Sequence, residues 1–255
     1  MRHFRSLLFY AGLLINTPLF AVLGIMLMVV PFHWRYAVVH RWTDSTLWWL
    51  RVTCGLDWSV TGRENIPAGP GIIMCKHQSA WETMALQQLF PPQVWLLKRE
   101  LLWVPFFGWG LASLNPIAID RGSARKALRQ TIQQGRERLQ AGIWVVIFPE
   151  GTRVAPGEHR RYQAGGALLA QETGFPVVPV AHNAGSYWSR NSIYKRPGTI
   201  KISVGPAIDP MGKTPHEITR LAEQWIGFAA CLWLHGTVGS FFSGVAPHEL
   251  GHGRQ

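Results

Sequence analysis

The chain has 255 residues, of which 47% are hydrophobic and 15% are charged, and its formal net charge is +11. This length accommodates one sizeable domain, and the composition is too apolar for an ordinary soluble protein but too polar for a transporter with many membrane spans. The basic excess suits nucleic acid, an anionic membrane surface or phosphorylated substrates. The 13 tryptophans favour a membrane over nucleic acid, because tryptophan concentrates at membrane–water interfaces.

The N-terminal segment is apolar enough to cross a bilayer. No charged residue occurs from Ser6 to Phe32, which exceeds the roughly 20 apolar residues that a spanning helix requires. The stretch is too long for a secretory signal peptide, and no small-residue cleavage site follows it. Pro18 is expected to kink a helix here, because proline removes a backbone hydrogen bond. One kinked span and a hairpin within a single leaflet both remain open.

A second, amphipathic helix is predicted directly after this segment. Its apolar residues recur at near-helical spacing at Trp34, Val38, Trp42, Trp49, Val52 and Leu56. His40, Asp44 and Arg51 lie to another side. The pattern is typical of a helix lying in a membrane interface, and packing on a protein core is the alternative. Residues 1–56 are therefore interpreted as a membrane-associated helical segment.

From residue 57 onward, short apolar runs alternate with helical stretches. The candidate strands are Asp57–Thr61, Gly71–Lys76, Val94–Lys98, Pro116–Asp120, Ile143–Phe148, Val177–Ala181 and Thr199–Val204. The candidate helices are Ser79–Leu89, Ser123–Gln140 and Gln163–Glu172. This alternation predicts an α/β fold, with a largely parallel mixed sheet covered by helices on both faces. Functional sites in such sheets form beyond the carboxyl ends of strands.

The first motif, the segment Lys76–Glu82 (KHQSAWE), lies where a candidate strand gives way to a helix. His77 and Glu82 are five positions apart, so the carboxylate can reach one imidazole nitrogen and fix its tautomer. The other nitrogen is then available to take a proton from a substrate hydroxyl. A purely structural alternative is that Ser79 and Glu82 form a helix capping box.

Further motifs follow other candidate strands. Phe148–Arg153 (FPEGTR) is a turn after a very apolar run, where Arg153 can hold a phosphate through paired hydrogen bonds. Amides around Gly151 can add donors, and an ordinary strand-exit loop is the alternative. Lys98 and Arg121 also stand at strand ends. Together these cations predict a phosphate-binding rim.

In order and spacing, these motifs resemble the glycerolipid acyltransferase family, in particular its 1-acyl-glycerol-3-phosphate acyltransferases. The resemblance covers roughly residues 55 to 210. His77 to Glu82 stands where the family has a His-x4-Asp motif. The further matching blocks are Lys98–Leu101 with Pro105–Gly108, Ile119–Arg121, Phe148–Arg153 and Val177–Val180. Glu82 departs from the commoner aspartate but offers the same carboxylate.

The resemblance implies acyl transfer from acyl-CoA or acyl carrier protein to the 2-hydroxyl of lysophosphatidic acid, which gives phosphatidic acid in phospholipid biosynthesis. His77 would be the general base and Glu82 its partner, with no acyl-enzyme, metal or further cofactor. The implied phosphate-binding residues are Lys98, Arg121, Glu150, Gly151, Thr152 and Arg153. The catalytic domain is expected to span residues 57–225, followed by an apolar tail over 226–255. The expected partners include membrane lipids but no nucleic acid.

Four alternatives compete with this interpretation. One is acyl transfer to another lysolipid, such as a lyso-ornithine lipid, and another is a non-catalytic membrane-binding protein with the same fold. Residues 248–252 fit the zinc-protease pattern H-E-x-x-H, although Gly251 and the nearby terminus disfavour a helix there. Cys75 is also a conceivable nucleophile.

The expected location is the cell membrane, the inner membrane if the source is bacterial, with the catalytic domain facing the cytoplasm. The chain has 3 cysteines, scattered at positions 54, 75 and 231, which predict no disulfide framework. Such usage agrees with a reducing compartment.

Overall fold

The computed structural model of the chain describes residues 2–120, 122–190 and 192–234. The strands of this part are β1 (Leu56–Thr61), β2 (Ile72–Cys75), β3 (Gln93–Lys98), β4 (Ile117–Ile119), β5 (Trp144–Ile147), β6 (Val177–His182) and β7 (Gly198–Val204). The helices are α1 (Arg2–Met26), α2 (Phe32–Cys54), α3 (Trp81–Ala85), α4 (Phe107–Ala112), α5 (Ala124–Gln140), α6 (Gly165–Thr173) and α7 (Pro215–Leu234).

The seven strands form one sheet in the order β1-β7-β6-β2-β5-β3-β4. Neighbouring strands are parallel except for β6 and β7, which are antiparallel. The predicted α/β class with a largely parallel mixed sheet is therefore confirmed, and all seven candidate strands are present. β2 lies at the centre with β6 and β5 parallel to it on either side. Every residue of these three strands is buried, as expected for strands covered on both faces.

Helices cover both faces of the sheet, and β2 contributes alternate side chains to the two cores. Ile73 and Cys75 belong to the core under α2 and α3, whereas Ile72 and Met74 belong to the core under α5, α6 and α7. The alternation follows from the two-residue period of a strand. We call these two sides the α2 face and the α6 face.

α7 continues through the expected domain boundary at residue 225 and ends at Leu234. Ile226 and Ala229 are fully buried in the core of the α6 face. The beginning of the expected apolar tail is thus part of the globular domain. The remainder of that tail, including the H-E-x-x-H pattern at 248–252, lies outside the described residues.

α1 and α2 lie side by side, and the polar residues that interrupt the apolar segment connect them. Asn16 Nδ2 donates to Ser45 Oγ at 2.9 Å, and Trp42 Nε1 donates to Thr17 Oγ1 at 3.3 Å. Pro18 lies within α1 without ending it. Within the described residues, His3–Val29 is the segment long and apolar enough to cross a membrane by length and composition.

The predicted apolar face packs on the domain only in part, through Trp42 and Trp49 of α2 and through Leu56, the first residue of β1. Trp34 and Val52 are 62% and 54% exposed. The buried stripe consists mainly of Tyr36, Val39, Thr43, Thr46, Leu47, Leu50 and Thr53. The threonines become compatible with burial by hydrogen bonding along the helix, as when Thr53 Oγ1 donates to the Trp49 carbonyl at 2.6 Å. A hydropathy pattern cannot reveal this stripe, because half of it is nominally polar.

Candidate active site

Three loops meet at the carboxyl edge of the central strands, following β2, β5 and β6. These strands are adjacent and parallel, so their carboxyl ends lie at the same edge of the sheet. The loop after β5 is joined to the loop after β2, since Val154 N donates to the His77 carbonyl at 2.7 Å. The loop after β6 is joined to it as well, since Gly185 N donates to Gln78 Oε1 at 3.2 Å. The structure therefore brings two of the predicted motifs together with an unpredicted loop.

His77 and Glu82 are in direct contact at this edge. His77 Nδ1 lies 2.9 Å from Glu82 Oε1. An ionised carboxylate only accepts hydrogen bonds, so Nδ1 carries the proton, and in a neutral imidazole Nε2 is then unprotonated. The ring stacks on Phe148 with centroids 4.0 Å apart, which fixes its plane. The geometry can therefore present a proton acceptor at Nε2, and its catalytic use stays a prediction.

Glu82 Oε1 also holds the turn that carries His77. It accepts hydrogen bonds from the backbone N–H groups of Gln78 at 2.8 Å and Ser79 at 2.7 Å. The Ser79 contact is the carboxylate half of a capping box. The structural and functional interpretations of Glu82 are thus compatible, because one oxygen serves both.

The helix after this turn is shorter than predicted, so the expectation of a helix over Ser79–Leu89 is wrong in extent. Ser79 Oγ accepts from Trp81 N, two residues ahead, instead of capping the third residue. α3 then ends at Ala85, and a short 3₁₀ turn follows over Leu86–Gln88. The short α3 still places the Glu82 carboxylate in contact with the His77 ring.

The Glu82 carboxyl group is 1% exposed, yet its neighbours favour the charged form. Burial alone would raise its pKa. The hydrogen bonds that Glu82 accepts from His77 Nδ1 and from the Ser79 N–H oppose this effect, and the pKa of Glu82 lies below its ordinary value. A negative partner for His77 is therefore maintained inside the protein.

His182 is a buried residue of this site that sequence reasoning missed. Its Nδ1 accepts from Ala184 N at 3.2 Å, so Nε2 carries the proton of the neutral ring. Nε2 donates to the Lys76 carbonyl at 2.7 Å and lies 3.9 Å from Glu82 Oε2. Burial lowers the pKa of His182, which agrees with a neutral imidazole. The residue directly follows the Val177–Val180 block, but nothing local in the sequence signals its contacts.

Glu150 is also buried beside His77, but it faces the backbone. Its Oε2 accepts from His77 N at 3.1 Å, and its Oε1 lies 3.7 Å from Lys76 Nζ. Burial raises the pKa of Glu150 to about 7 although Lys76 opposes this. Both carboxyl oxygens of Glu150 thus face the turn after β2, and its predicted part in a phosphate pocket stays a prediction.

The turn after Glu150 shapes the rest of this loop. Gly151 has φ +70°, a left-handed conformation in which a side chain is disfavoured. Thr152 and Arg153 follow it and are partly exposed. The Arg153 carbonyl accepts from Arg190 Nη1 at 3.2 Å, which places a second, unpredicted arginine from the loop after β6 beside it.

Lys98, another predicted phosphate-binding residue, lies on a strand that is not adjacent to β2. Lys98 ends β3, which is two strands from β2, or about 10 Å at a typical strand spacing of about 4.8 Å. Its side chain is half-exposed and lies 3.6 Å from Glu100. Arg121 lies outside the described residues. The phosphate-binding rim thus stays a prediction.

A cysteine nucleophile finds no support at this site. Cys75 is fully buried, and burial raises the pKa of its thiol well above the ordinary value, which disfavours a thiolate nucleophile. In the part of the chain that the structure describes, no cluster of His, Cys, Asp and Glu side chains is arranged to hold a metal ion.

Comparison with known proteins agrees with this geometry. Residues 57–183 match the family model for Acyltransferase. The 1-acyl-sn-glycerol-3-phosphate acyltransferase of Pseudomonas aeruginosa is 46% identical over 227 residues, which cover 87% of this chain and 88% of that protein. The enzyme of the same name from Borreliella burgdorferi is 32% identical over 166 residues, covering 64% and 66% of the two chains.

A solved structure shows the same fold. It is the crystal structure of the 1-acyl-sn-glycerophosphate acyltransferase from Thermotoga maritima, with a TM-score of 0.77 and 20% identity, and the match covers 94% of this chain and 98% of that one. At this identity the structural match shows the fold alone. The family is shown by the sequence relatives, and this chain belongs to the acyltransferase family that includes the 1-acyl-sn-glycerol-3-phosphate acyltransferases.

Proposed function

We propose that this chain transfers a fatty acyl group from a thioester to the 2-hydroxyl of 1-acyl-glycerol-3-phosphate and so makes phosphatidic acid. The observation that carries the proposal is the 2.9 Å contact between His77 Nδ1 and Glu82 Oε1 at the carboxyl edge of the sheet. The acceptor follows from the extensive similarity to enzymes named for this reaction.

The proposed proton path uses both nitrogens of His77. Nε2 takes the proton of the 2-hydroxyl while its oxygen attacks the thioester carbonyl, and the Nδ1 proton stays hydrogen-bonded to Glu82. As the C–O bond forms and the C–S bond breaks, the imidazolium returns the proton to the leaving thiolate. Because a thiolate leaves readily, the chain's own residues need to supply only the base, its orientation and binding contacts.

The acceptor phosphate is proposed to bind at Arg153, with Arg121 and Lys98 in support as predicted. Arg190 strengthens the case for this corner, because it lies on the Arg153 carbonyl and adds positive charge beside it. Gly151 and Thr152 shape the loop, and Glu150 connects it to the turn after β2 by accepting a hydrogen bond from His77 N.

Attachment to the membrane is proposed to occur through α1, with the catalytic domain on the cytoplasmic side. α1 lies along the domain: Ser6 Oγ accepts from Lys195 N at 3.1 Å, and a Cβ at Gly110 would lie 3.6 Å from Ala21 Cα. A helix held to the domain near both ends favours a hairpin within one leaflet over a span that leaves the domain behind.

The decisive experiment measures acyl transfer in membranes that contain the full chain. Lysophosphatidate should be acylated with acyl-CoA, with acyl carrier protein thioester, or with both, and lyso-ornithine lipid should be acylated at least about 10-fold more slowly. Preference for lyso-ornithine lipid would reassign the acceptor. No transfer to either acceptor in a folded preparation would favour the non-catalytic alternative.

A further inference from the structure

An exposed aromatic segment follows β3 on the same side of the molecule as α1. We call residues 101–109 the aromatic loop. Its exposed large apolar residues are Leu101 (41%), Trp103 (71%), Val104 (42%), Phe106 (40%), Phe107 (38%) and Trp109 (43%). Residues 101–109 contain no charged side chain. Such a concentration of exposed aromatic side chains marks an interaction surface.

The aromatic loop is continuous with the apolar surface of α1. The aromatic loop leads into α4, which lies against α1, since a Cβ at Gly110 would lie 3.6 Å from Ala21 Cα. The adjoining exposed residues of α1 include Leu14, Ile15, Leu19, Val22, Leu23 and Met26. Together these residues make one apolar surface, to which the globular domain contributes as well as the arm.

The charges beside the aromatic loop indicate what covers it. Lys98, Arg99 and Glu100 are exposed immediately before it, at the same sheet edge as His77, and leave an excess of one positive charge because Glu100 lies 3.6 Å from Lys98. Exposed tryptophan and phenylalanine flanked by cations are typical of a surface that enters an anionic lipid interface. A protein partner could cover the aromatic loop alone, whereas a membrane would also cover the apolar surface of α1 that continues from it.

We propose that the aromatic loop inserts into the same leaflet as α1 and is a second membrane contact, so that the carboxyl edge of the sheet faces the lipid headgroups. The purpose assigned to this contact, delivery of a lipid acceptor to His77, rests on the proposed function. The insertion itself does not, because it follows from exposure, continuity and charge.

Insertion can be measured with a fluorophore on a single cysteine. In a Cys231→Ser background, where Cys54 and Cys75 are buried, Trp103→Cys is labelled with a polarity-sensitive dye and the full chain is reconstituted into phosphatidylethanolamine–phosphatidylglycerol vesicles. Met211→Cys is the matched control, because Met211 is 81% exposed beside α6 at the opposite edge of the sheet. Quenching by lipids with doxyl-labelled acyl chains should be at least about threefold stronger at 103, and equal quenching would overturn the proposal.

A second measurement separates insertion from catalysis. Trp103→Ser should reduce acylation of long-chain lysophosphatidate in vesicles about 3- to 10-fold and leave acylation of a dispersed short-chain analogue unchanged. Equal losses with both acceptors would contradict a role in lipid delivery. If no acylation occurs at all, the proposed function fails while the quenching result still decides insertion.

A separate observation concerns the buried imidazole beneath the site. His182 is 1% exposed and donates from Nε2 to the Lys76 carbonyl, directly before His77. The same N–H faces Glu82 Oε2 at 3.9 Å, an oxygen with no hydrogen-bond partner in the described residues. His77, Lys76 and Glu82 are the ionisable groups around it, and the Trp81 ring lies edge-on at 6.4 Å.

We infer that His182 is a positioning residue whose Nε2–H holds the Lys76 carbonyl, and with it the backbone that carries His77. His182→Gln retains a donor near Nε2, whereas His182→Met has similar volume and no donor. The methionine variant should lose about 10-fold or more in kcat with little change in the KM for the acceptor. The glutamine variant should stay within about threefold of the wild type, and equal losses would reduce His182 to filling space.

A measurement on the unsubstituted protein covers the case in which neither variant folds. In ¹⁵N-histidine-labelled protein at neutral pH, one imidazole should show an unprotonated Nδ1 and a protonated Nε2 whose proton exchanges slowly with solvent. If no histidine shows this tautomer with a slowly exchanging proton, the inferred role of His182 is wrong.

Discussion

The turns after β2 and β5 each place a buried glutamate against His77, and the two carboxyl groups behave oppositely. Glu82 and Glu150 are both 1% exposed. Glu82 Oε1 receives the His77 ring and two backbone N–H groups, and the pKa of its carboxyl is lowered. Glu150 receives one backbone N–H and a lysine at 3.7 Å, and its pKa rises to about 7. The surrounding donors and charges, and not burial, therefore decide which glutamate serves as a permanent anion.

The largest expected effect comes from removing the group that both glutamates support. His77→Ala should lower turnover by at least about 100-fold, the low end of the range for a general base. The measurement is acyl transfer in membranes with matched amounts of folded protein. Near-normal turnover would remove His77 from the mechanism.

Glu82→Gln sharpens the comparison by replacing only the ionised carboxylate. Turnover should fall about 10-fold or more, but less than in His77→Ala, because an imidazole without its charged partner still accepts a proton. Glu82→Asp retains the charge one methylene further from the ring and should lie between the wild type and glutamine. A glutamine variant with wild-type turnover would show that the carboxylate only closes the turn.

Arg153→Ala probes the part of the β5 turn that faces outward. It should raise the KM for lysophosphatidate about 10-fold with a smaller change in kcat, because a charge-assisted hydrogen bond to the phosphate is lost. Arg136→Ala is the control, since Arg136 lies near the other edge of the sheet and pairs with Glu172 at 3.5 Å. An unchanged KM in Arg153→Ala would count against the phosphate site.

Glu150→Gln should have the smallest effect on turnover, within about threefold. The substitution should instead change how the free energy of unfolding depends on pH. The Glu150 carboxyl of the folded chain stays protonated up to about pH 7, whereas in the unfolded chain it ionises near its ordinary pKa of 4.5. Stability should therefore fall as the pH rises through this window and remain lower above it. The melting temperature of Glu150→Gln relative to wild type should rise between about pH 5 and 7.5, and a constant difference would contradict the raised pKa.

Much of the fold was predictable because its signals are local. The central strands β2, β5 and β6 were predictable because buried parallel strands read as continuous hydrophobic segments. The contact between His77 and Glu82 was predictable because a separation of five positions across one turn brings the two side chains together.

The parts that were missed depend on distant contacts or on polar atoms that find partners only in the fold. His182 reaches the Lys76 carbonyl across 106 positions, and no local pattern signals this. Arg190 reaches Arg153 from another loop. The buried threonines of α2 concealed part of its packing face, and α3 gives way to a 3₁₀ turn after Ala85. Sequence periodicity reports hydrophobic burial, whereas these features are set by hydrogen bonding.

One double substitution tests whether His77 and Glu82 form a single working unit. If Glu82 acts only through the ring of His77, the variant carrying both His77→Ala and Glu82→Gln should be no slower than His77→Ala alone, because the second change removes support for a base already absent. Rates of acyl transfer for the wild type, both single variants and the double variant complete the cycle. Losses that multiply in the double variant would show that the two side chains act independently.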